Sequence, residues 1–563
     1  GLTGTDAANY SLVITGSAAA IITPKALSAA LIGSISKTYD GNTSATLSNS
    51  NYAITGFVTV GGVTEGTSVT QAAGTYNSRN VLDANSASTT LSAAQFTPNA
   101  STLLSNYVLP TSATGTANIT PSALTVTYAG VNKTYNGDAV AEVTTSYQLI
   151  SHATGAGPVL DDVSILRTAT FDNKNVGTGK AISITGVHLG GADASNYVVA
   201  STGSATGTVN RLASVNWVGG ATGDWLNPSN WAGGAVPDLS NVGEVVIPMG
   251  ITVNFNTTHM GLAQVGTVSL TKLSAAGATL AQSTGTLNVS GNASVGTWQQ
   301  TDGATQVGGN FVSTDGFTQG RYGSLAVTGT TTIGSSAAVT LGSLSSTDAL
   351  SVTATGGTIT QVAGTTLNAA NTTSLSAQNA GVDADITLNN SNNVWGGSVS
   401  VSHAANLILK GTSLPLGTIT TSGTQTYASP VVLLSDATLT GAGVTFNDTV
   451  NGAHRLYVND SGSTLFTKSV GDLAHGAAPL HLEIAASNIT FDGAVVRTSS
   501  ASSMVFNGPV VLTNANTLFD TTNNGGLTTG ANMTFANGLS GTAANAQAVT
   551  FNAGTGGTVS FNG

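Results

Sequence analysis

Seven histidines, 25 carboxylates, 14 basic side chains and no cysteine make up the chain's stock of acid–base, nucleophilic and metal-binding groups. A metal or general-base site needs several such groups at a spacing that lets them converge. His152, His188, His259, His403, His454, His475 and His481 are scattered, and none stands in a His-Glu-x-x-His pattern or another tight ligand spacing. His475 and His481 are the closest pair, but no acidic pattern beside them recruits a metal, so all seven read as solvated or turn residues. Asp161-Asp162 and Asp383 with Asp385 could lend oxygens to Ca²⁺, which wants several such ligands. Neither pair lies in the glycine-rich nonapeptide of calcium-binding β-rolls, and hydrated loop carboxylates are the simpler reading. Gly177-Thr178-Gly179-Lys180 lacks the spacing and the following hydroxyl of a phosphate loop and reads as a turn. No Gly-x-Ser-x-Gly nucleophile elbow is present. The expectation is a chain that is not an enzyme and needs no cofactor, with Ca²⁺ as the weaker alternative.

Aromatic chemistry is more concentrated. Trp217, Trp225 and Trp231 are three of the five tryptophans. They suit two roles: a platform on which sugar rings stack, or a cap over the exposed core of a terminal solenoid coil. The cap is favoured, because a change of sequence texture begins just before them.

The elements that would hold these groups are legible in composition. Charged residues make up 7% of the chain, against roughly 25% in ordinary globular domains. Gly numbers 70, and Thr, Ser, Ala, Asn and Val dominate the remainder, which suits stacked strands better than amphipathic helices. The mean hydropathy of +0.19 argues against disorder. A net charge of −11 without any basic run excludes tracking of nucleic-acid phosphates. No apolar run is long enough for a membrane-spanning helix. The absence of cysteine fits passage through an oxidising periplasm. The start at Gly1 and the finish in mid-pattern at Gly563 suggest a segment of something longer.

Repeats divide the chain. Lys37-Thr38-Tyr39-Asp40-Gly41 returns as Lys133-Thr134-Tyr135-Asn136-Gly137, and Ile22-Thr23-Pro24 returns as Ile119-Thr120-Pro121. Arg79-Asn80-Val81 is echoed by Lys174-Asn175-Val176, and an Asn-Tyr pair recurs at Asn9-Tyr10, Asn106-Tyr107 and Asn196-Tyr197. The markers define the end of one module at 1–24 and complete modules at 25–120 and 121–210. Asp40-Gly41 and Asn136-Gly137 predict hairpin turns, and each module predicts a small β-sandwich, with a β-grasp as the runner-up.

After the Trp-rich junction at 211–250, residues 251–563 form a ladder. Leu287–Gly296 matches Leu325–Gly334, and Val289, Val307, Val327 and Val352 recur at coil-like intervals. Tyr427–Leu433 recurs as Phe506–Leu512, and Phe446, Phe491, Phe551 and Phe561 each precede Asn or Asp. Coils of roughly 18–25 residues predict a right-handed parallel β-helix, with a rise of about 4.8 Å per coil and a length on the order of 60–90 Å. The fold class is therefore all-β: tandem sandwich modules followed by a solenoid.

Lys37–Gly41, Lys174–Gly177 and Asp193–Tyr197, with their Ile-Thr-Pro linkers, resemble the YDG repeats of large bacterial adhesins. Asn136 stands where the name-giving Asp is expected, a change the turn tolerates. The stretch Gly423–Tyr427 with its Pro-Val-Val-Leu strand, together with the Trp and Gly-Gly segment, resembles filamentous-haemagglutinin-like exoproteins exported by two-partner secretion. That resemblance implies a secreted, Gram-negative cell-surface adhesin serving cell adhesion, aggregation or biofilm attachment. It also implies an outer-membrane secretion partner engaged elsewhere and a polysaccharide or cell-surface glycan as ligand. A self-assembling filament, with subunits associating through exposed strands, is the main alternative. A polysaccharide-degrading β-helix enzyme fits worse, because such an enzyme clusters Asp with Lys or Arg on one face and the cations here are dispersed.

Overall fold

A computed structural model describes residues 1–256 and 266–563, so His259 lies outside the described residues. It is all-β, with strands and single-turn 3₁₀ segments and no α-helix among the described residues. The chain divides into two units. One comprises Gly1–Asn132, Val140–Asn173 and Gly179–Thr208, the other Lys133–Ala139, Lys174–Thr178 and Val209–Gly563.

In the first unit the module at 25–120 is built on a six-stranded mixed sheet. Its order is Ser44–Thr46, Ala73–Tyr76, Ser86–Thr90, Ser112–Thr116, Ser28–Leu31 and Tyr52–Thr55. The last of these to be synthesised, Ser112–Thr116, lies in the middle, antiparallel to Ser86–Thr90 and parallel to Ser28–Leu31. The close approach there depends on Gly115, where a Cβ would meet the Leu31 carbonyl oxygen at 2.1 Å. Smaller two-stranded pairings cover the core of Leu31, Ile35, Leu47, Val69, Tyr76, Phe96 and Ile119.

Two of the sequence markers turn out to be register partners. Lys37 and Thr38 pair in parallel with Ile119 and Thr120, so the Ile-Thr-Pro junction closes its own module instead of merely ending it. The expected hairpin at Asp40-Gly41 is not formed, because the strands on either side join different sheets. The turn itself remains. Asp40 Oδ1 accepts from the Asn42 N–H at 3.2 Å, Lys37 Nζ pairs with Asp40 at 2.6 Å, and Gly41 takes a φ of 83°.

The second unit contains a continuous parallel ladder. Successive parallel pairings lead from Leu212–Asn216 through Val242–Val246, Ala293–Val307, Phe311–Val327 and onward to Val559–Phe561. At about 4.8 Å per step these fifteen pairings rise about 70 Å. The ladder begins at Leu212, and Thr222–Asp224 pairs in parallel with Thr252–Asn254, so the Trp-rich segment belongs to the first coil and the coils start before residue 251.

Coil length varies more than periodicity implies, from Val399 over Leu416 to Asn516 over Ala548. Val289, Val307 and Val327 do stack in register, but the next rung below Val327 is Ser346. Val352 lies instead on Ile333, in a different column. The match of Leu287 to Leu325 spans two coils, with Thr305 between them.

Two columns of like residues stand out among the buried aliphatic side chains of the interior. Tyr427, Phe446, Phe466 and Phe491 stack with ring centroids 5.2, 4.6 and 5.0 Å apart. Higher up, buried Gln282, Gln300 and Gln319 hydrogen-bond one to the next at 2.9 and 2.8 Å. Parallel stacking places like residues face to face, so ring planes and amide groups satisfy one another while like charges would repel.

Candidate functional site

The three tryptophans are inside the protein. Trp217, Trp225 and Trp231 are 4%, 0% and 1% exposed, so the glycan platform is not formed and no ring face is offered to a sugar. Trp231 packs edge-on against Trp217 and Trp225 at 5.0 and 5.2 Å, and Trp225 against Phe255 at 5.2 Å. Each indole N–H donates to a backbone carbonyl: Trp217 to Gly220, Trp225 to Pro237 and Trp231 to Trp225. Burial without an orphaned donor is what a core aromatic needs. The first coil thus turns these rings into its interior.

Nor do the carboxylate pairs form oxygen cages. Asp383 faces His403 at 3.2 Å, whereas Asp385 accepts from the Asn406 backbone N–H at 3.0 Å. Asp161 and Asp162 also diverge, the latter accepting from the Ala192 N–H at 3.1 Å. His454, His475 and His481 each face a separate acid, and His188 bonds the Gly186 carbonyl. Gly177–Lys180 is not the expected turn but the start of the strand Gly177–Gly190, and its Lys180 pairs with Asp172 at 2.7 Å.

Among the described histidines only His152 enters a denser cluster, with its Nδ1 2.7 Å from Asp161 and Asp193 nearby. A guanidinium already supplies the positive charge there, since Arg79 reaches Asp161 at 3.3 Å and Asp193 at 3.0 Å. Burial works to raise the Asp161 pKa, but hydrogen bonds from Tyr197, Tyr39 and His152 and the Arg79 charge outweigh it and lower it. Burial and the neighbouring carboxylate push the Tyr39 and Tyr197 phenols well up.

This cluster is one copy of an arrangement that occurs twice. In the first unit, Arg79 Nη1 donates to the Tyr39 hydroxyl at 2.6 Å and Nη2 to Asp193 Oδ1 at 3.0 Å. The Val81 N–H donates to Asn196 Oδ1 at 2.8 Å, and Asn196 Nδ2 donates to Asn80 Oδ1 at 3.3 Å. In the second unit, Lys174 Nζ donates to the Tyr135 hydroxyl at 3.2 Å and to Asp238 Oδ2 at 2.5 Å. The Val176 N–H donates to Asn241 Oδ1 at 2.8 Å, and Asn241 Nδ2 donates to Asn175 Oδ1 at 2.9 Å. Asp193, Asn196, Asp238 and Asn241 are all buried.

Each clasp therefore has a socket, made of the Tyr of Lys-Thr-Tyr with a basic-Asn-Val triplet. Its plug is an Asp-x-x-Asn turn. Two of the module markers, Lys-Thr-Tyr and the basic-Asn-Val triplet, supply the socket residues, and the Asn-Tyr marker supplies Asn196 of the first plug. Sequence reasoning missed the plug because the second copy, Asp238–Asn241, is followed by Val242 and lacks the Asn-Tyr marker.

A shallow groove of about 560 Å³ runs along the outer faces of several coils in the second unit, lined in part by Arg211, Asn288, Gln306 and Ser345. Arg211 is held there by the Thr271 hydroxyl and the Val242 and Ser269 carbonyls. The lining is mixed: Arg211 and several amide and hydroxyl groups stand among the aliphatic side chains of Leu270, Val289, Val307 and Val327.

Residues 23–115 and 120–205 each match the YDG domain family, and residues 334–402 match a family of repeats of unknown function (DUF5649). No curated protein and no solved structure matches the chain. The two YDG matches overlap the stretches 25–120 and 121–210.

Proposed function

We propose that this chain is a non-catalytic stalk segment of a secreted bacterial surface adhesin of the filamentous-haemagglutinin-like, two-partner-secretion type. The observation that carries the proposal is the parallel ladder from Leu212 to Phe561, whose inward side chains are buried against those of neighbouring coils. Such a ladder spans distance with little sequence information and few charges. Tandem YDG modules in the same chain fit a spacer built by duplication. The partners in this reading are an outer-membrane secretion protein engaged outside the chain and an extracellular or cell-surface polysaccharide. With the tryptophans buried, the groove beside Arg211 is the surface through which this segment itself would meet a glycan.

The test is in-frame removal of residues 1–563 from the protein on its producing cell, followed by attachment and aggregation assays. The reading predicts loss of attachment with export retained. Unchanged attachment would refute it, and release of products from acidic or neutral polysaccharides by the purified chain would replace it with an enzyme.

A further inference from the structure

We propose that Gly4–Tyr10 is a third, preformed plug, and that its partner is the Tyr–basic–Asn socket of another YDG-type module. The occupied plug of the first unit reads Gly191, Asp193, Asn196 and Tyr197, and the same residue types stand at Gly4, Asp6, Asn9 and Tyr10. The two share a backbone conformation as well as a sequence. Asp6 has φ −102° and ψ 7°, and Asp193 has φ −100° and ψ 9°. The Asn9 N–H donates to the Asp6 carbonyl at 3.0 Å, as the Asn196 N–H does to the Asp193 carbonyl at 3.0 Å. Gly4 and Gly191 both take positive φ, 129° and 103°, and their carbonyls accept from the N–H groups of Ala7 and Ala194.

The environments differ. Asp193 and Asn196 are 8% and 1% exposed, whereas Asp6 and Asn9 are exposed and make no side-chain hydrogen bond among the described residues. A turn already held in its docked shape loses little conformational freedom on binding. Its carboxylate and amide are the two groups that the sockets recognise, through a basic side chain and a backbone N–H. The chain's own two sockets are filled by Asp193 with Asn196 and by Asp238 with Asn241, so the complement of Asp6 and Asn9 is a third socket. In the equivalent turn of the module at 25–120 Leu103 occupies the Asp position with a ψ of 104°, so the backbone shape shared by Asp6 and Asp193 is not repeated there.

The numbering offset between Asp6 and Asp193 makes a clean test, because fusing residues 24–187 ahead of the full chain duplicates the modules in register. The added copy then presents a Tyr39–Arg79 socket to Asp6 and Asn9. Asp6→Ala with Asn9→Ala is expected to speed hydrogen exchange at the copied Val81 amide by about tenfold or more, as loss of a charge-assisted bond implies. The same double substitution in the unextended chain is expected to leave all other amides unchanged. Asp193→Ala with Asn196→Ala in the unextended chain calibrates the effect at Val81. The proposal is overturned if the copied Val81 amide is unprotected with the plug intact. It is equally overturned if that protection survives D6A/N9A while D193A/N196A abolishes its counterpart.

Discussion

Replacing Arg497 by Met probes how a chain so poor in charge tolerates a buried ion pair. Arg497 and Asp520 are register partners on adjacent coils, with side chains only 8% and 1% exposed and Nε 2.8 Å from Oδ2. Arg497 Nη1 also donates to the Gly471 carbonyl at 3.0 Å. Asp520 accepts from the Thr522 N–H and hydroxyl at 2.8 and 2.6 Å and from the Asn524 N–H at 2.8 Å. Met preserves length and removes the charge, leaving a buried carboxylate with three neutral donors. Breaking such a pair from one side costs about 3–5 kcal/mol. Neutralising both sides with Arg497→Met and Asp520→Asn should recover most of the loss, leaving a deficit below about 2 kcal/mol.

Burial works to raise the Asp520 pKa, but the bonds from Thr522, Arg497 and Asn524 outweigh it and lower it. Its contribution to stability is therefore present above the unfolded carboxylate pKa, about 4, and is lost as pH falls through the lower folded value. The penalty of Arg497→Met should shrink over that interval. Hydrogen exchange of the amides in Val495–Arg497 and Asn516–Asp520 reads the effect locally, with an expected acceleration of about 10²–10⁴-fold at pH 7. An acceleration below about tenfold, or a penalty equal at pH 3 and pH 7, would refute the reasoning.

Two further outcomes follow from the interior of each unit. Phe466 is fully buried between Phe446 and Phe491, so Phe466→Ala should cost about 3–5 kcal/mol and Phe466→Leu less than about 1.5, read as shifts in the urea midpoint of the coils. The clasp of Tyr39, Arg79, His152, Asp161, Asp193 and Tyr197 combines a lowered carboxylate pKa with raised phenol pKa values. Its stability should be retained from about pH 4 to about pH 10 and fall on both sides, as the lowered acid is protonated and the raised phenols ionise. Thermal midpoints of the module region across that range check it, and a flat profile through pH 3 would contradict it.

Much of the architecture was legible because repetition exposes it. The module markers in the sequence are the groups that pair or bond in space: Lys37 with Ile119, and Arg79 with Tyr39. The coils announced themselves through Leu287 and Leu325, two rungs apart. Periodicity could not assign columns, because coils of unequal length let Val352 slip onto Ile333. It could not decide the fate of the tryptophans either, since an exposed platform and a buried cap draw on the same residues and only the Trp225 and Trp231 contacts separate them. The Asp238 and Asn241 plug was hidden because its meaning lies in Lys174 and Val176, far away in sequence.

The parallel, rung-on-rung ladder is the claim on which the stalk reading stands, and the absence of any native cysteine allows a direct test. Thr332 and Ser351 are register partners on neighbouring rungs, Thr332 exposed and Ser351 half-buried. Cα atoms on adjacent strands lie about 4.8 Å apart, inside the range of about 4.4–6.8 Å that a disulfide spans. The double variant Thr332→Cys, Ser351→Cys should form an intramolecular disulfide under mild oxidation in the folded chain. Thr332→Cys with Val352→Cys should not, because Val352 points inward. Efficient closure of the second pair, or failure of the first in a folded chain, would contradict the ladder.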